Sequence, residues 1–494
     1  MWVMDMVSQE TLTKTLLLRG SSLTVGISMN KSVAAMLVLL FLTASYAIAA
    51  KPAFSIAAED TWATKTPMQQ ARAGLGVVAV DGKIYAIGGS TASGSYRPDA
   101  FAGDFVGTNE EYDPETDTWT YREPMPTPRA HFAIAAYKNK IYCIGGAVGF
   151  SVDERTGFYS YITSGVTEVY DTVTNTWVTK KSMPDDAMKI QAHVVNGKIY
   201  VMDWSLTYVF DPENDSWSLK TRMPQPYPDY DSSPVSAVLD NKIIVTFEFS
   251  TFNSSTGFES SEQKVLFYDT ETDSWNGGKS GPIGVVQGEA GATTGVQAPQ
   301  KVYVLGLIVE ALLPTVVNQV YDPNTNTWVT ASSMAITRSD FGIAVVNDMV
   351  YVIGGYLRSS RHVTPTAVSE QYAPVGYGTV VPVVSIISPS NEMYEANSVS
   401  LVLGVSKPVS WMGYSLDGKE NVTFSGNTTI SGLSNGLHNV TVFAIDEFDN
   451  IGISETITFN VDVPFPTVPV ATASIASVAI VGLGLLVYFK KRKH

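Results

Sequence analysis

One position of this chain lies twelve residues ahead of a recurrent Ile or Val, and it reads Arg72, Arg129, Ala187, Asp231, Ala290 and Arg338. A guanidinium suits a carboxylate ligand, because its planar fork can offer two parallel hydrogen bonds. Around the positions without arginine lie Asp185, Asp186, Asp229, Asp231 and Glu289, so one half of the set is basic and the other acidic. Two readings follow. The arginines are structural partners of backbone carbonyls or of a neighbouring carboxylate, or they face a ligand. In the second case Arg72, Arg129 and Arg338 would hold a carboxylate of that ligand.

Other chemistries find little support. The histidines are His131, His193, His362, His438 and His494, none at ligand spacing from another, so no metal centre is expected. Cys143 is the one cysteine, which excludes an intramolecular disulfide and a cysteine zinc site. In the run Ile-Tyr-Cys-Ile-Gly-Gly it reads as a small buried apolar residue. There is no nucleophile motif and no phosphate loop. With 47 acidic against 32 basic residues and a net charge of -15, nucleic acid is not an expected partner. No cofactor is expected, and the chain reads as a binding protein rather than an enzyme.

The elements that would position these residues are written as a repeat. Trp62, Trp119, Trp177, Trp217, Trp275 and Trp328 follow one another at intervals of 57, 58, 40, 58 and 53 residues. In five of the phrases an aromatic, Tyr112, Tyr170, Phe210, Tyr268 or Tyr321, stands seven residues ahead of the Trp. Asp-Pro and polar residues between the two make a turn. The aromatic and the Trp therefore fall on neighbouring antiparallel strands. An apolar strand, a tight turn and a second strand come next, and three of these second strands end in Gly88-Gly89, Gly145-Gly146 and Gly354-Gly355. Four strands make one small sheet, and six sheets in a ring bury each other's faces. The last set lacks its Trp, and Trp62 has no strands before it. The segment around Trp62 is therefore expected to close the ring as the outer strand of the last sheet, leaving no open edge.

These Gly pairs and Tyr-to-Trp phrases, with the Met-Pro turns at 125–126, 183–184 and 223–224, resemble the kelch-repeat family over residues 58–375. The resemblance implies an all-β, six-bladed propeller. Blades three to five depart from it, with Asp203-Trp204, Phe247-Glu248 and Gly306-Leu307 where the Gly pair belongs. It also implies that the loops entering each inner strand share a face with the loops joining second and third strands. The three arginines would then cluster on one side of the mouth. The second-to-third connections 90–109, 147–166, 249–263 and 356–367 are long and rich in Gly, Ser and aromatics. Tyr96, Arg97, Phe158, Tyr159, Tyr161 and Arg358 are the candidate recognition residues within them.

Residues 381–464 alternate apolar and polar and break at Asp417-Gly418, Asn435-Gly436 and Asp449-Asn450, which reads as a β-sandwich. The pattern resembles the immunoglobulin-like modules of prokaryotic, especially archaeal, surface proteins, with a spacer's role. Sequons stand at Asn214, Asn253, Asn421, Asn427 and Asn439. At the ends, residues 29–50 read as a signal peptide, with 1–28 an upstream extension. Residues 467–489 carry no charge and suit a transmembrane helix, and the basic 490–494 would stay cytoplasmic. The sequence thus predicts a single-pass cell-surface protein whose extracellular part binds a glycan or a protein. The alternatives are a mutarotase or epimerase acting on an acidic sugar, and a structural adhesion or surface-layer protein.

Overall fold

The computed structural model describes residues 58–464, except 96–103, 153–154, 156–158, 204–205, 225–234, 254–257, 282–284, 309–314 and 360–361. The expected signal peptide and its upstream extension, the transmembrane segment and the basic tail lie outside the described residues, as do Tyr96, Arg97, Phe158 and Asp231. Among the described residues no helix is long and apolar enough to cross a membrane.

Six four-stranded antiparallel sheets follow one another along the chain. The first comprises Gly76–Val80, Lys83–Ile87, Asn109–Asp113 and Thr118–Arg122. The second comprises Ala133–Tyr137, Lys140–Ile144, Thr167–Asp171 and Thr176–Lys180, and the third Gln191–Val195, Lys198–Met202, Thr207–Asp211 and Ser216–Leu219. The fourth comprises Val235–Leu239, Lys242–Asn253, Phe258–Asp269 and Ser274–Gly277, and the fifth Val286–Ala292, Val302–Ile308, Thr315–Asp322 and Thr327–Ala331. The sixth takes Gly342–Val346, Met349–Ile353 and Ser369–Ala373, and its outer strand is Thr61–Lys65, paired with Ser369–Ala373. The first strands of successive sheets pack side by side in a closed circle, the sixth returning to the first. These six sheets form a six-bladed β-propeller.

Its core is divided. Each apolar cluster sits between two neighbouring blades, as where Val80, Tyr85 and Ile87 of the first meet Ile141, Cys143 and Tyr170 of the second. A second strand is therefore covered on both faces. This is why Lys-Ile-Tyr-Ala-Ile and its counterparts are continuous apolar runs rather than alternating ones.

The repeated Trp is a staple between blades. The indole N–H of Trp119 donates to the Thr66 carbonyl at 2.8 Å, that of Trp177 to Glu123 at 2.8 Å and that of Trp62 to Ser332 at 2.7 Å. Trp217, Trp275 and Trp328 bond Lys181, Thr221 and Lys279 in the same way. In every case the acceptor lies four residues beyond the Trp of the preceding blade. Two residues ahead of each Trp stands an Asp or Asn in the left-handed region, a conformation these residues tolerate. Asp117 there accepts the Tyr112 hydroxyl at 2.6 Å and the Thr66 backbone N–H at 3.0 Å.

The Gly pairs answer to close approach. A Cβ on Gly88 would lie 2.7 Å from the Arg129 carbonyl oxygen, and one on Gly354 2.7 Å from that of Arg72. Both glycines are left-handed as well, with φ of 63° and 68°.

The second domain packs two sheets on one core. Val384–Ser388, Ser398–Val405 and Thr428–Ser431 form one, and Trp411–Leu416, Gly436–Ile445 and Ile457–Val461 form the body of the other. Val399, Leu401 and Ile430 face Val440, Val442 and Phe459 between them. The joint to the propeller is built. Tyr377 meets Phe448 edge-on at 5.7 Å, Asn450 donates to the Gly378 carbonyl at 2.7 Å, and the Gly378 N–H donates to Gln297 at 2.7 Å. The buried Asp348 carboxylate holds the propeller side of this joint through the N–H groups of Thr294, Val296, Gln297 and Ala298. Asn214, Asn421, Asn427 and Asn439 are exposed, and Asn253 ends a strand of the fourth blade.

Candidate functional site

The long connections expected as loops are in large part strands, because their Thr, Val, Tyr and Phe favour extended backbone. In the second blade Ala147–Val152 and Tyr159–Thr163 pair as a ribbon. In the fourth blade the second and third strands run 12 residues each, so that the sheet grows an arm. Tyr356–Arg358 and His362–Pro365 join Arg338–Ser339 and Gly94–Ser95 in a small sheet that ties the sixth blade to the first. A row of rings runs inward across this face. Phe105 stacks on Phe150 at 5.4 Å, Phe150 meets Tyr161 at 4.4 Å, and Tyr161 meets His131 edge-on at 6.1 Å.

His131 belongs to the rim of the central channel. Gly74, His131, Lys189 and Asp340 each stand twelve residues beyond a repeat Trp, and all are left-handed, with φ between 52° and 62°. They are chained from blade to blade. The Gly74 N–H donates to the Asp340 carbonyl, that of His131 to Gly74 and that of Lys189 to His131, each at 2.8 Å. The bare Gly74 leaves room for the imidazole, since a Cβ there would lie 2.8 Å from His131 Cε1. His131 Nδ1 stands 3.9 Å from Asp340 Oδ1. Burial lowers the His131 pKa despite Asp340, so the ring is neutral at neutral pH.

One step inward, Leu75, Phe132 and Ile190 form an apolar collar between a mouth chamber of about 60 Å³ and a channel of about 320 Å³. The collar also holds Gln191 and Glu289. Gln191 opens the inner strand of the third blade, and Glu289 holds the corresponding register in the fifth, opposite Leu305. Gln191 Nε2 donates to Glu289 Oε2 at 3.1 Å, a crossbar between blades that are not neighbours. Burial, with a smaller push from Asp340, raises the Glu289 carboxyl to about 7, against the pull of the Gln191 bond. Deeper in the channel His193 Nε2 and Ser236 Oγ lie 2.6 Å apart, and burial pushes His193 down to about 4.

The three arginines do not line this mouth. Each lies inside its blade with a fully buried side chain. Arg72 binds Glu110 at 2.9 Å and the Gly88 carbonyl at 2.8 Å. Arg129 pairs with Glu168 and donates to the Cys143 carbonyl at 2.9 Å. Arg338 pairs with Glu370 at 2.5 Å and donates to the Val352 carbonyl at 3.0 Å. The structural reading of these arginines therefore replaces the expected ligand-facing cluster. Its carboxylates stand two residues ahead of the repeat Tyr, where blades three to five carry Tyr208, Leu266 and Gln319. Arginine and partner are absent together.

Of the other candidates, Glu289 is at the mouth and Tyr161 lies in the aromatic row. Tyr159 is on the ribbon, and Arg358 donates to Ser339 Oγ at 3.0 Å. Cys143 is buried, and its thiol is pushed up to about 12 by that burial, which leaves it unreactive. Sequence reasoning passed over Gln191, Lys189 and Asp340 and gave His131 no role. The count back from the recurrent Ile or Val that found the arginines would have placed three of them, two residues further on. Chemically, the mouth offers the Glu289 carboxyl, poised to hold or release a proton, the neutral His131 imidazole, and the side chains of Asp340 and Lys189.

A family model described as Kelch motif matches residues 71–126 and 128–184. The Influenza virus NS1A-binding protein homolog of Mus musculus is 40% identical over 92 residues, 19% of this chain and 13% of that protein. The F-box/kelch-repeat protein At1g67480 of Arabidopsis thaliana is 27% identical over 164 residues, 32% of this chain and 38% of that protein. Kelch-like protein 25 of Xenopus tropicalis is 27% identical over 234 residues, 46% of this chain and 36% of that protein. The chain thus matches less than two fifths of the length of each. A solved structure titled "Structure of YjhT" is 16% identical, with a TM-score of 0.45 over 62% of this chain and 96% of that one.

Proposed function

We propose that this chain, which carries kelch repeats, is a cell-surface binding protein that takes an extracellular protein partner on the face around the channel mouth. One observation carries the reading. The connections on that face are built as a ribbon, an arm and a blade-bridging sheet, and the ribbon carries a row of aromatic rings that reaches Phe105 of the first blade. Rigid projections carrying aromatic rings lower the ordering cost of recognition. The Mus musculus relative is named as a homolog of an influenza virus NS1A-binding protein, which is said of that relative. The surface location rests on the apolar segments at 29–50 and 467–489, on the basic end, and on exposed sequons in the second domain, a spacer in this reading.

The test begins with a membrane-impermeant cross-linker on intact cells that express the protein. The captured protein is then purified and titrated against wild type, Phe150→Ala and Tyr161→Ala. The reading expects capture from outside the cell and about tenfold weaker binding in both variants. Unchanged affinity in both would sink the loop-face assignment. Arg72→Ala and Arg129→Ala are unsuited to this purpose, because they unpair buried charges.

A second reading is favoured by Glu289, whose carboxyl near 7 beside Asp340 and His131 suits proton transfer at a sugar's anomeric carbon. Lys189 then takes the place of the arginines as the group facing an acidic sugar. Exchange between anomers followed by NMR, wild type beside Glu289→Gln, decides it. A wild-type rate equal to the uncatalysed one rules it out.

A further inference from the structure

The structure assigns a second binding site, for a neutral saccharide, to a groove between the fourth and fifth blades on the face of the tight turns, at the opposite ends of the strands from the mouth. Its volume is about 710 Å³, within the roughly 300–1,000 Å³ of small-molecule sites.

The repeat supplies its own comparison. Two and three residues past the Trp, the other blades carry Tyr121-Arg122, Thr179-Lys180, Leu219-Lys220, Thr330-Ala331 and Thr64-Lys65. The fourth blade carries Gly277-Gly278 and so bares its flank. The seam is looser there as well. Asp60, Asp117, Asn175, Asp215 and Asp273 each accept a backbone N–H from the neighbouring blade. Asn326, their counterpart in the fifth blade, accepts the Tyr321 hydroxyl at 2.9 Å and, among the described residues, no such N–H. Lys83 and Lys198 are paired to Asp113 and Asp211 at 2.6 Å, whereas Lys242 at this groove has no ion pair among the described residues. On the far side the fifth blade replaces the usual tight turn with the longer 293–301 segment, whose Gln300 reaches Asp240 at 3.2 Å.

The lining indicates the class of ligand. Its apolar side is the partly exposed ring of Phe267, with Pro323 nearby. Around it the exposed carboxamides of Asn276 and Asn324 join the carboxylates of Asp269 and Glu271. Amides that both donate and accept, carboxylates that accept, and a ring for a C–H face match the hydroxyls and apolar face of a sugar. One ammonium among several carboxylates disfavours an anion.

The proposal is independent of the loop-face reading, and its test keeps the two apart. The purified full chain is titrated with chitotriose, maltotriose, mannotriose and galactobiose by calorimetry and saturation-transfer NMR. Gly277→Tyr copies the first blade and should fold, since a Cβ at Gly277 meets nothing within 4 Å. Saturable binding of at least one probe is expected. Gly277→Tyr and Asn324→Ala should each weaken it by about tenfold or more without moving the melting temperature, while Phe150→Ala leaves it unchanged. Failure of all four probes to bind would overturn the proposal. So would binding that survives Gly277→Tyr or disappears in Phe150→Ala. Hexalysine binding that is sensitive to Gly277→Tyr, with no sugar bound, would assign the groove to a cationic peptide and overturn it too.

Discussion

Arg129→Ala should be among the most damaging single changes in the propeller, although it touches no surface. The Glu168 side chain, 3% exposed, would keep the Thr127 hydroxyl at 2.8 Å and a long backbone N–H at 3.4 Å and would lose its counter-charge. The carbonyls of Thr127 and Cys143 would lose a donor as well. Breaking a buried pair by removing one partner costs about 3–5 kcal/mol, and the third blade indicates how that cost is avoided. It has Ala187 and Tyr208 at the corresponding positions, with no charge to bury. The double variant Arg129→Ala/Glu168→Tyr should therefore recover about 2–3 kcal/mol relative to the sum of the single losses. Urea unfolding followed by Trp fluorescence reads this directly, because six of the nine tryptophans are the blade staples. Single losses under about 1 kcal/mol, or a double variant that is merely additive, would refute the argument that the arginines act as buried structural pairs.

Three further predictions concern the frame and the mouth. Gly145→Ala should lower the melting temperature strongly, at a cost of at least about 2 kcal/mol, because φ is 67° and the new Cβ would lie 2.8 Å from Ile190 and 2.9 Å from the Ala187 oxygen; Gly277→Ala is its near-neutral control. Trp177→Phe should lose the bond to Glu123, 2.8 Å in the native protein, and with it about 1 kcal/mol, seen as a lower urea midpoint at unchanged slope. Glu289 has its carboxyl raised from 4.5 to about 7. It therefore contributes stability that is full below about pH 4.5 and is lost as pH rises through about 7. Glu289→Gln should make the protein relatively more stable at pH 8 than at pH 5, by at most about 3 kcal/mol. A parallel pH profile for the two proteins would contradict the assignment.

The ring was legible because its spacing constraint is written in residue types with few substitutes. Trp must reach a carbonyl of the neighbouring blade, and Asp or Asn must sit left-handed ahead of it. Gly must stand where the next blade's backbone passes. Trp62, lacking strands of its own, carried the information that the first described strand belongs to the last sheet. The mouth was less legible. Arg72, Arg129 and Arg338 repeat at the right places, but a repeat position records what the scaffold needs at least as often as what a ligand needs. Their partners Glu110, Glu168 and Glu370 stand 32 to 39 residues away, so the pairing is visible only once the strands are in register. Gln191 and Glu289 are 98 residues apart and meet across a channel, a contact that no local pattern encodes. The strands of the long connections were missed for a related reason: their alternation is interrupted by Gly and Ser, which sequence patterns assign to turns.

The closure of the ring also sets an order of events in the protein's making. Thr61–Lys65 leaves the ribosome first among the described strands and finds its partner only when Ser369–Ala373 has followed it, some 306 residues later for Thr64 and its register partner Glu370 in the last blade. Until then the growing chain carries unpaired strand edges at both ends, and no blade arrangement can lock. Birth is therefore its vulnerable period. A protein assembled this way gains its resistance to fraying in a single late step, and truncation at either end of the propeller would undo the same bond.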